Sequence, residues 1–260
     1  MNKCFILVKR EFSQYLKEFK IIWLPLVFLL LGITQPISYH FMPQILSSLS
    51  GSSGISIDPS KFIQSSGDVL ASTLSSQFDQ LGIIIVVISL MGTVYSEKVS
   101  DMISFILTRP VSVKDYLFSK IISNYLFVAV SIVMGYFAAA YYSDLYYTNI
   151  SVKVLFLAIL CYLVWILFVV SFITMLSTLM KSQGVIAITG VVVLLLLKFL
   201  SGLNYFVDII NPSSMSSNAV SILVTGKPKE NVLPSLIVTI VFIIVINSIS
   251  KFWISNKKYQ

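Results

Sequence analysis

The residues best suited to chemistry lie in a short charged segment between two long apolar stretches. Glu97 and Asp101 precede an apolar run, and Arg109-Pro110 follows it. Because proline disfavours helix in the residue before it, Arg109-Pro110 should end a short helix. A short helix with charged flanks is suited to docking against a soluble protein. The apolar residues of this predicted helix are Met102, Ile103, Phe105, Ile106 and Leu107.

The rest of the chain offers few groups for catalysis or metal binding. His40 is the single histidine, and Cys4 and Cys161 are the two cysteines. A His/Cys zinc site or a catalytic triad centred on histidine therefore cannot be assembled. The one Gly-Lys pair, Gly226-Lys227, lacks the preceding glycine and the following Ser or Thr of a phosphate-binding loop. We expect no enzyme activity, no metal and no nucleotide site in this chain.

Composition excludes most soluble classes of protein. The chain has 260 residues, of which 57% are hydrophobic and 11% charged. Its mean hydropathy is +0.90. Soluble domains carry about 25% charged residues, so this chain could not cover a soluble surface. A cytosolic enzyme, a disordered chain and a nucleic-acid-binding domain are all excluded.

The spacing of the charged residues gives the length of each apolar stretch between them. A helix needs about 20 residues, at ~1.5 Å each, to cross the roughly 30 Å apolar layer of a bilayer. Six stretches of about that length are free of charged residues, apart from Lys198 in the fifth. We therefore predict an all-α polytopic membrane protein with a single transmembrane domain. The predicted spans cover residues 21–41, 80–96, 121–142, 154–180, 183–203 and 232–250.

The distribution of Lys and Arg along the chain predicts the orientation of these spans. Most of the 18 Lys and Arg residues fall at the termini and in the loops on the same side, and such loops stay in the cytosol. Both termini and the loop 97–120 are predicted to be cytosolic, and segments 42–79 and 204–231 external. Trp23 and Trp253 fit the aromatic belts at the interfaces. The pI of 9.3 is therefore a topology signal and does not indicate nucleic-acid binding.

Residues 3–20 have the pattern of a basic amphipathic helix. Such a helix next to the first span is expected to lie in the headgroup plane and to contact membrane lipids. A simple anchor and an elbow that also contacts a cytosolic partner remain as alternatives. The apolar residues recur at three- and four-residue spacing: Phe5, Val8, Phe12, Tyr15, Leu16 and Phe19.

Both external segments are longer than simple turns. Segment 42–79 is rich in Ser and Gly at its start, and the apolar row in its second half could extend the second span outward. Segment 204–231 contains an apolar run over residues 219–224 that is too short to span but suits a re-entrant or interfacial helix. Such segments are usually connectors; an external lid or substrate contact is the alternative for the first.

Small and charged residues within the spans mark possible contacts. Lys198 could extend to the headgroups or could line a translocation path or subunit interface.

Ser131, Gly135 and Ala139 recur every four residues on the third span, a pattern that permits close helix packing. They could pack within one chain, line a pore or form an interface with a second chain. No Asp or Glu falls inside a predicted span.

The segment after the second predicted span resembles the permeases of the ATP-binding-cassette type-2 exporter family. That family typically has a Glu at the end of this span, a Gly-Thr that opens a short helix, then Leu-x-x-Arg-Pro-Val-Ser-Arg, and a Gly-Lys at the start of the third span. Glu97, the run Arg109-Pro110-Val111-Ser112, and Lys120 match, whereas Leu107 precedes Arg109 by two positions rather than three. The chain looks especially like small permeases of peptide, bacteriocin and toxin exporters, which have an enlarged first external loop. It departs from the family pattern at Ser100-Asp101, Val113 and Ser119.

The resemblance implies a function as well as a fold. Such a chain would form half of a transmembrane dimer, with itself or a related permease, and would bind separate cytosolic ATPase subunits that supply ATP and Mg²⁺. It would pass an amphipathic or hydrophobic substrate (a peptide, drug or lipid) outward across a bacterial cell membrane. The residues implied to couple it to the ATPase are Glu97, Asp101, Phe105, Leu107, Arg109 and Pro110.

A stand-alone secondary transporter or channel is the alternative function. Ion-coupled carriers usually place carboxylates or broken helices near mid-membrane, and the predicted spans contain no carboxylate. An intramembrane enzyme would need convergent carboxylates, histidines or metal ligands, and these are missing too.

Overall fold

A computed structural model describes residues 3–53, 65–103, 112–148 and 150–256, which are helical almost throughout and contain no strand. Six helical segments in these ranges are long and apolar enough to cross a membrane. The predicted all-α class with six spans is thereby confirmed. Spans 1 to 6 are Lys20–Ile45, Ser66–Val99, Val113–Tyr146, Val152–Leu179, Gln183–Leu200 and Val232–Asn256.

Individual helices are numbered along the chain. Span 2 combines α3, a π-helical segment (Thr73–Gly82), α4 and α5. The helices are α1 (Lys3–Lys17), α2 (Lys20–Ser53), α3 (Ser66–Ser72), α4 (Ile83–Leu90), α5 (Tyr95–Val99), α6 (Val113–Tyr146), α7 (Val152–Leu179), α8 (Gln183–Leu200), α9 (Tyr205–Ile210), α10 (Ser214–Thr225) and α11 (Val232–Asn256).

Helix α1 turns sharply into α2. Phe19, at the corner, has φ of 55°, a left-handed conformation that breaks the helical path and is uncommon for a bulky residue. One face of α1 buries Glu11 and Tyr15, whereas Phe5 and Leu16 are exposed. The predicted apolar row is thus divided, because two of its members are exposed while the charged Glu11 is buried, and α1 packs on α6. Its position in the headgroup plane stays a prediction.

Helix α7 forms the centre of the bundle. Tyr162, Trp165, Val169 and Ile173 on it are completely buried, and α6, α8, α10 and α11 pack around it. Helices that are apolar on all sides are buried in a protein core or face lipid. Spans 1, 5 and 6 leave most of their apolar residues at the surface of the chain, which suits contact with lipid or another membrane chain.

Helices α2 and α6 cross at a pair of glycines. A Cβ added to Gly32 would overlap the carbonyl oxygen of Gly135, and one added to Gly135 would overlap the carbonyl oxygen of Phe28. Only residues without a side chain allow the two backbones to approach this closely. This crossing holds span 1 against span 3.

Span 2 begins well before the position given by hydropathy. The predicted span began at residue 80, whereas a capping box formed by Ser65 and Asp68 starts the helix at Ser66. The early turns are polar, but Thr73 and Ser76 donate hydrogen bonds to carbonyls of their own helix. Their burial within the chain, rather than against lipid, makes this polarity tolerable. The sequence predicted no acidic residue inside a span. For span 2 that prediction is wrong, because Asp79 lies inside the observed helix.

The segment between spans 5 and 6 folds back onto the bundle. The predicted break at Asn211-Pro212-Ser213 separates α9 from α10. The apolar run expected to be helical belongs to α10, which packs on α7 and α3. Gly226, with φ of 73°, ends α10 in the left-handed conformation typical of glycine caps.

Candidate functional site

Three helices meet at a buried group of charges. Arg10 and Glu11 come from α1, Glu97 from α5, and Lys120 from the start of α6. Tyr116, one turn earlier on α6, completes the group. We call these five residues the charge cluster. Glu97 precedes the loop that joins span 2 to span 3, and Tyr116 and Lys120 follow that loop.

Glu97 is the centre of the charge cluster. Its carboxylate is 4% exposed. Oε1 accepts a hydrogen bond from Arg10 Nη2 at 3.0 Å and lies 3.1 Å from Lys120 Nζ. Oε2 accepts a hydrogen bond of 2.6 Å from the Tyr116 hydroxyl. One carboxylate thus joins α1, α5 and α6.

Lys120 is buried between two carboxylates. Its side chain is 2% exposed, and Nζ lies 2.7 Å from Glu11 Oε2 as well as close to Glu97. Two cations face two anions, which compensates charges that would otherwise be very costly to bury. Burial raises the pKa of Glu11, and the neighbouring Lys120 ammonium only partly opposes this effect.

Aromatic contacts fix α1 in this position. The Tyr15 ring stacks on Phe127 of α6 with centroids 5.0 Å apart, and its hydroxyl donates a 2.6 Å hydrogen bond to Asn124 Oδ1. Phe12 packs edge-on against Tyr15. Since Glu11 and Tyr15 are four residues apart, they lie on the same helical face. The stacking therefore directs Glu11 toward Lys120.

A second set of contacts ties α5 to the end of α7. Lys98 Nζ donates to the carbonyl oxygens of Thr178 and Met180 at 3.0 and 2.6 Å, where a helix end favours a cation. The Ser177 hydroxyl accepts hydrogen bonds from the backbone amides of Val94 and Tyr95. The short break in span 2 between α4 and α5 is thus held by α7.

The structure describes two of the six predicted coupling residues. Glu97 lies in the charge cluster. Asp101 is exposed and has φ of 52°, a conformation that Asp tolerates better than most residues and that ends the helical turn after α5. The remaining four lie outside the described residues, so their role stays a prediction: Phe105, Leu107, Arg109 and Pro110.

Sequence reasoning missed most partners of Glu97. The sequence motifs do not include Arg10, Tyr116 or Glu11, the second partner of Lys120, and Lys120 itself belongs only to the family motif. One signal was available in α1, where Glu11 is an acidic residue in the apolar row between Val8 and Tyr15. A charge on the apolar face of an amphipathic helix indicates a buried partner.

Lys198 forms a second buried ion pair, away from the charge cluster. Its Nζ lies 2.6 Å from Asp79 Oδ2 and donates to the Ser216 hydroxyl at 2.8 Å. Ser216 in turn donates to Asp79 at 2.5 Å, and Asp79 is fully buried. The side chain therefore points to a partner inside the chain, not to lipid headgroups. The pair links the π-helical segment, α8 and α10, and π-helical segments are frequent at functional sites.

The small residues on α6 pack within the chain. Ser131, Gly135 and Ala139 are buried, and Gly135 makes the close contact with α2. The sequence left a pore or subunit interface open for this row. Within the chain, Gly135 lies where spans 1 and 3 cross, and a pore or interface role for this row stays a prediction.

Comparisons with known proteins identify relatives of this chain. The family described as ABC-2 family transporter protein matches residues 5–250. An uncharacterized transmembrane protein of Bacillus subtilis, YxlG, is 31% identical over 191 residues, which cover 74% of this chain and 73% of the relative. The family match runs from within α1 into span 6.

Proposed function

Because this chain belongs to the ABC-2 family of transporter proteins, we propose that it is the membrane permease subunit of an ATP-driven exporter. It is a multi-pass protein of a bacterial cell membrane. ATP and Mg²⁺ act in separate cytosolic ATPase subunits, and a dimer of this chain with itself or a related permease forms the translocation path. The substrate is amphipathic or hydrophobic, as a peptide, drug or lipid would be.

The charge cluster is the observation that supports ATPase coupling. The loop from Ser100 to Ser112 is anchored at one end by Glu97 and at the other by Tyr116 and Lys120. Because breaking a buried ion pair by removing one partner costs about 3–5 kcal/mol, the loop ends and α1 should move together. A displacement imposed on the loop by an ATPase would then reach spans 2 and 3 directly.

The test is to purify the tagged full-length chain from its native membrane and to identify co-purifying proteins by mass spectrometry. The proposal expects an ATPase subunit in the complex. Hydrogen–deuterium exchange of that complex, with and without ATP and vanadate, should show altered protection in spans 2 and 3.

Glu97→Gln is the diagnostic variant. It removes the central charge but keeps an oxygen that can accept from Tyr116, so membrane insertion and ATPase binding should persist while the response of the spans is lost. Glu18→Gln, which alters a partly exposed pair with Lys20, is the matched control and should respond like the wild type. An unchanged response in Glu97→Gln would refute coupling through the charge cluster.

One observation favours the alternative of a stand-alone carrier. Asp79 is a buried carboxylate inside a candidate span, and such groups carry protons or ions in secondary transporters. Its pairing with Lys198 already neutralises the charge, which favours a structural role. Failure to recover any ATPase, even after chemical crosslinking, would favour the carrier over the exporter.

A further inference from the structure

A polar cleft lies beside the charge cluster. Its volume is about 260 Å³, below the roughly 300–1,000 Å³ of pockets for drug-sized ligands. α1, the start of α2, span 2 and α6 form its walls, and Gln183 at the start of span 5 closes one side. The cleft is therefore suited to a small polar group. Its polar lining includes Gln14, Glu18, Lys20, Ser89 and Asn124.

Two buried groups in this lining have no hydrogen-bond partner among the residues that the structure describes. Asn124 is 1% exposed, and its oxygen accepts the Tyr15 hydroxyl, but its Nδ2 donor is unpaired. Ser89 is 6% exposed, and its hydroxyl is likewise unpaired. Leaving such donors unsatisfied costs free energy comparable to a lost hydrogen bond or more. A ligand with acceptor oxygens would satisfy both.

Charges of both signs lie near the cleft mouth. Lys20 and Glu18 line it, with side chains 26% and 38% exposed, and they pair with each other. Two further residues that line the cleft, Trp23 and Ile88, expose apolar surface. Tryptophan beside a charged residue at the end of a span is typical of the depth of lipid headgroups. The residues that line the cleft thus include two with unpaired donors, two with paired charges, and two with exposed apolar surface.

We propose that this cleft binds the headgroup of a zwitterionic phospholipid. The phosphodiester oxygens accept hydrogen bonds from Asn124 Nδ2 and the Ser89 hydroxyl, while Lys20 supplies positive charge. The ammonium of the headgroup is stabilised by Glu18 and the Gln14 side-chain oxygen. The acyl chains leave past Trp23 and Ile88 into the bilayer. This site does not depend on the transport function proposed above.

Native mass spectrometry of the detergent-purified full-length chain tests the proposal. The probe is dioleoyl phosphatidylethanolamine, compared with dioleoyl phosphatidylglycerol, with diacylglycerol, and with free phosphoethanolamine as competitor. We expect a retained phosphatidylethanolamine adduct, weaker phosphatidylglycerol binding because it lacks the ammonium, and no diacylglycerol adduct. Free phosphoethanolamine should compete only weakly, because it lacks the acyl chains.

Two variants and one control locate the bound lipid. Ser89→Ala removes a hydroxyl without a protein partner, so it should lower lipid affinity about tenfold, the effect of one hydrogen bond to a charged group, with no loss of thermal stability in lipid-free detergent. Asn124→Asp keeps the oxygen that accepts from Tyr15 but replaces the donor, and should weaken binding at least as much. Ser131→Ala, a buried serine bonded to its own helix, should bind lipid like the wild type.

Several results would overturn the proposal. Equal adducts in wild type, Ser89→Ala and Asn124→Asp would place the lipid elsewhere on the surface. Equal binding of phosphatidylglycerol would remove the selection for a zwitterion. Full competition by free phosphoethanolamine would make the ligand a soluble phosphate compound, and the absence of any adduct would leave the cleft filled by water alone.

Discussion

Lys120 Nζ lies 2.7 Å from Glu11 Oε2 and 3.1 Å from Glu97 Oε1, so one buried ammonium separates two buried carboxylates from different helices. Glu97 and Lys120 flank the loop between spans 2 and 3, and Glu11 belongs to the N-terminal helix. Lys120 therefore contributes to the packing of α1, α5 and α6 against one another.

Lys120→Met should be among the most damaging substitutions in the chain. It leaves Glu11 and Glu97 buried with Arg10 as the one compensating cation among the described residues, and removing one partner of a buried ion pair costs about 3–5 kcal/mol. Thermal unfolding of the purified protein in detergent measures the effect. Lys20→Met, which breaks a partly exposed pair, should cost less than about 1 kcal/mol. Similar losses in both variants would contradict the burial of the charge cluster.

The Asp79–Lys198 pair should behave as a coupled unit. Asp79→Leu alone leaves a cation near a membrane-facing helix end, and Lys198→Leu alone leaves a fully buried carboxylate. Replacement of both residues removes both charges, and such exchanges are often neutral or stabilising. A double-mutant cycle on unfolding in detergent should therefore show a large favourable coupling, with the double variant more stable than either single variant. Additive losses would mean that the two residues do not interact.

Gly135→Ala should disrupt the crossing of spans 1 and 3. The new methyl group would overlap the Phe28 carbonyl oxygen, and overpacking typically costs about 1–3 kcal/mol. Gly184→Ala is the matched control, because its nearest neighbour would be Ser182 Oγ at 3.9 Å. Thermal stability should fall only for Gly135→Ala. Equal stability of the two variants would show that α2 and α6 are farther apart.

The contributions of Glu11 and Glu18 to stability should change in opposite directions as the pH rises. Burial raises the pKa of Glu11 in the folded chain above its usual value of 4.5, so the folded state binds the proton more tightly. Stability from this group is greatest below pH 4.5 and falls as pH rises through the higher folded pKa. Unfolding measured against pH for wild type and Glu11→Gln isolates this contribution.

Glu18 supplies the comparison for this pH experiment. Burial acts to raise its pKa, but hydrogen bonds from Lys20 and Gln14 outweigh that effect and lower it. Its contribution is therefore present above pH 4.5 and is lost as pH falls through the lower folded pKa. If the stability difference from the wild type changed with pH in the same direction for Glu11→Gln and Glu18→Gln, one of the two pKa shifts would have the wrong direction.

The predicted topology can be tested by cysteine labelling. In a chain whose native cysteines have been replaced, a cysteine at position 52 should react with a membrane-impermeant maleimide in intact cells. One at position 182 should react only after the membrane is permeabilised, since the loop between spans 4 and 5 is predicted to be cytosolic. Reversed labelling would invert the whole topology.

The number of spans and the all-α class follow from the sequence alone. A run of about 20 apolar residues has a low free energy in a bilayer only as a helix, because every backbone amide must be paired. That constraint is local, and so the charge-free stretches identify all six spans. The matching residues around Glu97 also sufficed to indicate the family before any geometry was known.

The partners of Glu97 and Lys198 were decided only by the tertiary structure. Lys120 pairs with Glu11 across 109 positions of the chain, and the hydropathy of a segment carries no information about which distant charge it will meet. For the same reason Asp79 was assigned to an external loop, although Lys198 and Ser216 compensate its burial. Apolar length is a property of one segment, whereas the cost of burying a charge depends on residues that only folding brings together.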